Sequence, residues 1–128
     1  MKAMLDSDTC IYLMNRHSRM VPQEPLHEYC ISTVVLGELE YGALNSQYTA
    51  KNQAKLRLFL GSITIFELGA KEAKIYAELR CALKHQPIGP NDLWIAAHAV
   101  ALQLSLVTNN THEFKRVPRL TINTWLQK

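Results

Sequence analysis

Short apolar runs alternate along this chain with longer segments of helical periodicity, and this alternation constrains the fold more than any other feature. The apolar runs predict strands at residues 2–5, 29–32, 63–66, 105–108 and 120–122. Apolar residues at helical spacing predict helices at residues 9–15, 35–44, 49–60, 70–83 and 91–104. Strands that alternate with helices are typical of an α/β sandwich with a mainly parallel central sheet.

The segments between these elements are polar or rich in helix breakers. Residues 109–113 are predicted to form a polar loop, and residues 15–25 a loop or ragged helix end. Asp8 directly precedes the helix predicted at 9–15, so we expect its side chain to cap that helix. The helix predicted at 91–104 is apolar nearly all round and is therefore expected to be buried.

Composition limits the class of protein. The chain has 128 residues, 48% of them hydrophobic and 20% charged, which fits a single globular domain over residues 1–128 and argues against disorder or coiled coil. The N-terminus lacks the apolar core of a signal peptide, and the longest mostly apolar stretch is too short to cross a bilayer. We therefore predict a cytoplasmic protein without membrane association, in which Cys10, Cys30 and Cys81 are buried free thiols.

The few aspartates mark a candidate site. Only three of the eleven acidic residues are aspartates, and all three lie beside apolar segments. Asp6 follows the first strand and Asn110 follows the fourth, so both are expected at the edge where parallel sheets bind ligands. Asp92 opens the buried helix, and Glu38 lies one turn into its own helix. Each residue alone has a structural interpretation as a turn, cap or solvated residue, whereas together their oxygen atoms favour a Mg2+ site.

Four segments carry a resemblance to a known family. They are residues 4–12 (MLDSDTCIY), 31–43 (ISTVVLGELEYGA), 88–99 (IGPNDLWIAAHA) and 106–114 (LVTNNTHEF). In this order they resemble the PIN-domain ribonucleases and, within them, the VapC-type toxins of toxin–antitoxin pairs. The resemblance spans nearly the whole chain and implies a PIN-like α/β/α sandwich.

The resemblance also implies roles for individual residues. Asp6, Glu38 and Asp92 correspond to the acidic triad that holds Mg2+, or Mn2+, and Asn110 is a further catalytic residue where many relatives have an aspartate. The first motif usually reads Asp-Thr-Asn, whereas this chain has Asp6-Ser7-Asp8. Whether Asp8 or Glu113 joins the site is left open by the sequence.

The activity that the resemblance implies is metal-dependent hydrolysis of RNA phosphodiester bonds by a toxin endoribonuclease, with transfer RNA as the expected target. The expected partners are a VapB-type antitoxin and a second copy of the chain, in a homodimer that assembles further with the antitoxin. A net charge of +3 is compatible with a polyanionic substrate. Candidate phosphate contacts are Arg16, Arg19, Lys51, Lys55, Lys115, Arg116 and Arg119.

Two other functions remain open from the sequence. One is a PIN-like module that binds RNA or assembles with partners but has a dead metal site, against which the intact Asp6, Glu38 and Asp92 argue. The other is a haloacid-dehalogenase-like phosphatase, because an Asp-x-Asp motif after the first strand is typical of those enzymes. Such a phosphatase needs a later lysine and a further acidic pair.

Overall fold

The central sheet has five strands and is parallel throughout. In the computed structural model, which describes residues 1–15 and 24–125, the strand order is β3-β2-β1-β4-β5 and all four pairings are parallel. The strands are β1 (Ala3–Leu5), β2 (Tyr29–Ser32), β3 (Thr64–Phe66), β4 (Ser105–Val107) and β5 (Ile122–Asn123). The predicted α/β class and the mainly parallel sheet are confirmed.

Helices connect the strands close to the predicted bounds. They are α1 (Ser7–Met14), α2 (Thr33–Leu44), α3 (Thr49–Leu60), α4 (Ala70–Ala82), α5 (Pro90–Leu102) and the short α6 (Thr111–Phe114). The prediction of a plain polar loop at 109–113 was wrong, because Asn110 begins a helical turn in which its carbonyl accepts the N–H of Phe114 at 3.2 Å.

The predicted N-cap of α1 was also wrong. Asp6, not Asp8, caps the helix, because the Asp6 carboxylate accepts the backbone N–H of Thr9 at 2.9 Å. Asp8 lies inside the first turn, where its side chain is exposed. Asp6 is therefore the single residue between β1 and α1, and it caps the helix directly after the strand ends.

The core is built around α5 and the sheet. Every residue of α5 from Ile95 to Ala99 is buried, as the all-round apolar pattern predicts. Trp125 closes the core near the C-terminal end of the chain and packs edge-on against Tyr29, with ring centroids 4.7 Å apart. All three cysteines are free; Cys10 and Cys30 are buried, whereas Cys81 is exposed, contrary to expectation.

The strand order places a crevice beside β1. From β1 the chain moves to β2 and β3 on one side and to β4 and β5 on the other, so the direction of winding reverses between β1 and β4. Ligands of open parallel sheets bind at the carboxyl ends of the strands where such a reversal occurs. Leu5 and Val107 are paired in register, which makes Asp6 and Thr108 the first residues beyond the sheet at this point.

Some sequence predictions fall outside these observations. The expected loop at 15–25, with Arg16 and Arg19, lies mostly in residues 16–23, which the structure does not describe. Within the described ranges 1–15 and 24–125, no helix is both long enough and apolar enough to cross a bilayer.

Candidate active site

Asp6 is fixed at the end of β1 by the fold itself. Its side chain is only 5% exposed, and it accepts hydrogen bonds from the backbone N–H of Thr9 and from the hydroxyl of Thr108. Burial raises the pKa of the Asp6 carboxyl, and the hydrogen bonds from Thr108 and Thr9 oppose that rise. The carboxylate is therefore both a helix cap and a positioned acidic group at the crevice.

Thr108 links the fourth strand to Asp6. The Oγ1 atom of Thr108 accepts the backbone N–H of Asn110 at 2.9 Å, which leaves its hydroxyl proton to point at the Asp6 carboxylate. Asn110 thus reaches the site through its backbone, while the residue itself is exposed at the start of α6. The catalytic role of the Asn110 side chain remains a prediction.

Glu38 reaches the same region from α2. The hydroxyl of Ser32 accepts the Val34 N–H at 3.1 Å and so starts the helix. One turn later the Glu38 carboxylate accepts the Ser7 hydroxyl at 2.5 Å on Oε1 and the Asn91 carboxamide at 3.4 Å on Oε2. Ser7 and Asn91 therefore connect Glu38 to the beginnings of α1 and α5.

Asp92 and Glu113 lie within hydrogen-bond distance of each other beside the start of α5. Asp92 lies in the first turn of α5, which Pro90 begins. Burial, a hydrogen bond with Glu113 and the charges of Glu113, Glu38 and Asp6 raise the pKa of Asp92 to about 7. Glu113 is held in place from the other side because its Oε1 atom accepts the Gly89 N–H at 3.2 Å. The structure therefore brings Glu113 to Asp92.

Several other polar residues have positions or partners outside this cluster. Asp8 is exposed and contributes only the smallest of the influences on the pKa of Asp6. Glu40 forms a surface ion pair with Arg57. His98 is buried within α5, consistent with a packing role. Among the basic candidates, Arg116 donates to the Gln86 carbonyl and Arg119 to the Glu78 carboxylate, so both already have partners on the protein surface.

Sequence reasoning missed two residues that hold the carboxylates in place. Ser7 stands where the family motif usually has a threonine, and that hydroxyl position is the signal that could have identified it. Thr108 was predicted only as the last residue of the fourth strand. Its burial and its place directly beyond an apolar strand are the corresponding signal.

The donor set suits a hard divalent cation by its chemistry. Within residues 1–15 and 24–125, no three His, Cys, Asp or Glu side chains already converge on one ion position. The carboxylates nevertheless influence one another, since the charges of Asp6, Glu38 and Glu113 all raise the pKa of Asp92. Oxygen donors with excess negative charge are what Mg2+ and Mn2+ prefer, so the residues present fit such an ion.

Comparison with known proteins places this site in a family. The PIN domain matches residues 3–120. Ribonuclease VapC2 of Rickettsia felis is 40% identical over 129 residues, which cover 95% of this chain and 96% of that protein. The tRNA(fMet)-specific endonuclease VapC of Shigella flexneri is 38% identical over 130 residues and 98% of both chains. The chain belongs to the VapC ribonucleases of the PIN-domain family.

Solved structures of the family have the same fold. The structure of VapBC2 from Rickettsia felis, bound to a DNA fragment from its promoter, superposes with a TM-score of 0.87 at 40% identity, covering 98% of this chain and 99% of that chain. DNA-bound VapBC from Salmonella typhimurium gives a TM-score of 0.84 at 33% identity and 98% coverage of both chains. The predicted family is confirmed, and membership of it excludes the haloacid-dehalogenase alternative.

Proposed function

We propose that this ribonuclease cuts transfer RNA in a reaction that depends on Mg2+ or Mn2+, with Asp6, Glu38 and Asp92 as ion ligands. The observation that carries the proposal is that Asp6, Glu38 and Asp92 come from different elements to one crevice, where burial and the neighbouring carboxylates raise the pKa of Asp92 to about 7. Such mutual repulsion is costly unless a cation neutralises it. The relatives from Shigella flexneri and Salmonella typhimurium are both tRNA(fMet)-specific endonucleases by name, which supports tRNA as the substrate.

Each residue has a part in this reaction. When bound, the divalent cation supplies positive charge that activates a water molecule and stabilises the phosphate. Asp6, held by Thr9 and Thr108, keeps one carboxylate fixed at the crevice. Glu113, which is hydrogen-bonded to Asp92 and held by the Gly89 N–H, keeps the Asp92 carboxylate in position. Ser7 and Asn91 orient Glu38.

The test is cleavage of an initiator tRNA(fMet) transcript by purified protein. We expect cleavage with Mg2+ or Mn2+ and loss of cleavage with excess EDTA, restored when the ion is added back. The Glu38→Gln variant, which keeps the size of the side chain and removes its charge, is the control for a contaminating nuclease. Cleavage that continues in EDTA, or in the Glu38→Gln variant, would contradict the proposal. A protein that binds the transcript without cutting it would support the dead-module alternative.

A groove beside the site fits the antitoxin that we propose as partner. It has a volume of about 240 Å3 between α1, α2 and α3, and apolar residues such as Ile11, Met14, Leu39 and Leu56 line it together with Glu38. A partner helix could bury its apolar face there. An arginine from that helix would meet Glu38 in charge-assisted hydrogen bonds and neutralise the carboxylates. The solved relatives that are VapBC complexes support a partner of this kind.

Filling that groove tests the partner. Gly42 lines it, and a Cβ atom added there meets no other atom within 4 Å, so Gly42→Leu should fold while occupying the space. We expect Gly42→Leu to lose copurification with the small protein encoded beside this gene. Gly37→Leu adds the same side chain to the same helix outside the groove and is the matched control. Equal copurification of the two variants would contradict this binding mode.

A further inference from the structure

A second groove lies against Glu38, and the proposed function does not use it. It has a volume of about 610 Å3 and lies between α2 and the beginning of α5. We call it the α2–α5 groove; the residues that line it are Thr33, Val34, Gly37, Glu38, Tyr41 and Asn91. A volume of this size is typical of small-molecule and nucleotide sites.

The groove is continuous with the active site. Glu38 lines both the α2–α5 groove and the apolar groove on the other side of α2. Asn91 lines the α2–α5 groove and donates its carboxamide N–H to Glu38 Oε2 at 3.4 Å. A substrate phosphate held at the carboxylates would therefore place a neighbouring nucleotide within reach of this groove.

One stripe of α2 forms its floor. Val34, Gly37, Glu38 and Tyr41 are spaced as i, i+3, i+4 and i+7, so their side chains share one face of the helix. Gly37 is in the middle of this stripe, where glycine makes a helix less stable than alanine would. Nothing lies within 4 Å of a Cβ atom added at Gly37, so no packing contact requires a glycine there. The absence of a side chain at Gly37 keeps the floor of the groove open.

Tyr41 supplies an aromatic surface at the side of this floor. Its side chain is 66% exposed, so it does not belong to the core. Unpaired RNA bases are commonly stacked on exposed aromatic rings and hydrogen-bonded at their edges by carboxamides.

We infer that the α2–α5 groove is a subsite for one unpaired nucleobase next to the scissile phosphate, with Tyr41 stacking the base and Asn91 contacting its edge. None of the six lining residues is positively charged and one is a glutamate, so the groove suits a base better than a phosphate. This inference rests on the proposed function, because it assumes that RNA lies across the carboxylates. It makes Tyr41 a determinant of substrate binding and specificity.

The experiment measures both binding and cleavage of a 3′-fluorescein tRNA(fMet) transcript. Binding is followed by anisotropy in EDTA, and KM and kcat are measured with Mg2+. We expect Tyr41→Ala to weaken binding and raise KM by about 5- to 100-fold, with kcat within about twofold, because a stacked base contributes that much affinity. Tyr41→Phe should restore binding because it keeps the ring. Gly37→Leu should weaken binding in the same direction because its side chain occupies the floor.

Tyr48 provides the matched control. Its side chain is 64% exposed, almost the same as that of Tyr41, but it lies at the start of α3 and not among the residues that line the groove. Tyr48→Ala should bind and cleave like the unmodified protein. Equal losses for Tyr41→Ala and Tyr48→Ala, or unchanged binding in Tyr41→Ala, would overturn the inference.

Further outcomes show whether the subsite, the proposed reaction or both are wrong, and whether the groove is instead a contact between two copies of the chain. Wild-type cleavage that is insensitive to Tyr41→Ala refutes the subsite alone. If the wild type binds the transcript without cutting it, the proposed reaction is refuted. The affinities of the Tyr41, Gly37 and Tyr48 variants then still show whether the subsite exists. A wild type that neither binds nor cuts refutes both. If light scattering shows that Tyr41→Ala dissociates a dimer, and the affinity of each protomer for RNA is unchanged, the groove is a contact between copies and the inference is wrong.

Discussion

The two sides of the carboxylate cluster differ in how the protein compensates their negative charge. On the strand side, which comprises Asp6, Thr9 and Thr108, the carboxylate is buried and receives hydrogen bonds from a backbone N–H and a hydroxyl. On the helix side, which comprises Glu38, Asp92 and Glu113, the carboxylates are less buried than Asp6. Burial together with the neighbouring carboxylates raises the pKa of Asp92 to about 7. On the strand side the hydrogen bonds therefore offset part of the cost of burying the Asp6 carboxylate, whereas the helix side carries repulsion that a cation would relieve.

This difference separates two tasks within one site. A carboxylate that also caps a helix cannot move without loss of that cap, so the strand side sets the position of the site relative to the sheet. The carboxylates of the helix side come from three helices, α2, α5 and α6, and no single backbone element fixes them. The strand side therefore fixes the position of the site, and the three helices bring together the carboxylates that repel one another.

The largest expected effect is a loss of RNA cleavage, and we expect it for variants on both sides of the carboxylate cluster. Asp6→Asn and Asp92→Asn should each lower RNA cleavage by more than about 100-fold. Loss of a residue that only orients a metal ligand already costs about 10- to 100-fold, and these residues are the proposed ligands themselves. Initial rates on tRNA(fMet) with Mg2+ measure this. Substantial activity in either variant would show that its side of the cluster does not hold the ion.

The stability of alanine variants should distinguish the strand side from the helix side. Asp6→Ala removes the N-cap of α1 and the acceptor for Thr9, which costs about 0.5–2 kcal/mol. Asp92→Ala removes a charge that its neighbours repel, so without metal it should raise the melting temperature at pH 8. Thermal unfolding in EDTA is the measurement, and Asp6→Asn, which retains an oxygen acceptor, should lose less stability than Asp6→Ala. Destabilisation of equal size by Asp92→Ala would show that Asp92 is a structural residue too.

The pH dependence of stability is a second test of the repulsion at Asp92. The pKa of Asp92 in the folded protein is about 7, above its ordinary value, so the folded state binds more protons than the unfolded state between about pH 4 and 7. Its contribution to the free energy of unfolding is therefore fully present below pH 4 and is lost as the pH rises to 7. In EDTA, the melting temperature of Asp92→Asn minus that of the unmodified protein should increase from pH 5 to pH 8. A difference that stays constant over this range would contradict the repulsion at Asp92.

The sequence was sufficient to predict the sheet and the three acidic positions but not how the acids are held. Short apolar runs and an all-round apolar helical segment locate β1, β2 and α5 because these elements are buried. The capping of α1 was mispredicted because Asp6 and Asp8 are both suitable caps, and only the direct passage from β1 into α1 decides between them. The approach of Glu113 to Asp92 depends on tertiary packing of α6 beside α5, which no local pattern encodes.

The smallest expected effect concerns Asp8, the carboxylate that belongs to neither side. It follows Asp6 by two residues and stands where the family usually has asparagine, yet it is exposed within the first turn of α1. Asp8→Asn loses a favourable interaction with the helix dipole of about 0.3–1 kcal/mol. It also removes the repulsion by which Asp8 raises the pKa of Asp6, so the two changes oppose each other. We expect a melting temperature close to that of the unmodified protein and most of the ribonuclease activity, measured beside Asp6→Asn. An Asp8→Asn protein as inactive as Asp6→Asn would show that Asp8 joins the strand side as a further ligand when RNA and metal are bound.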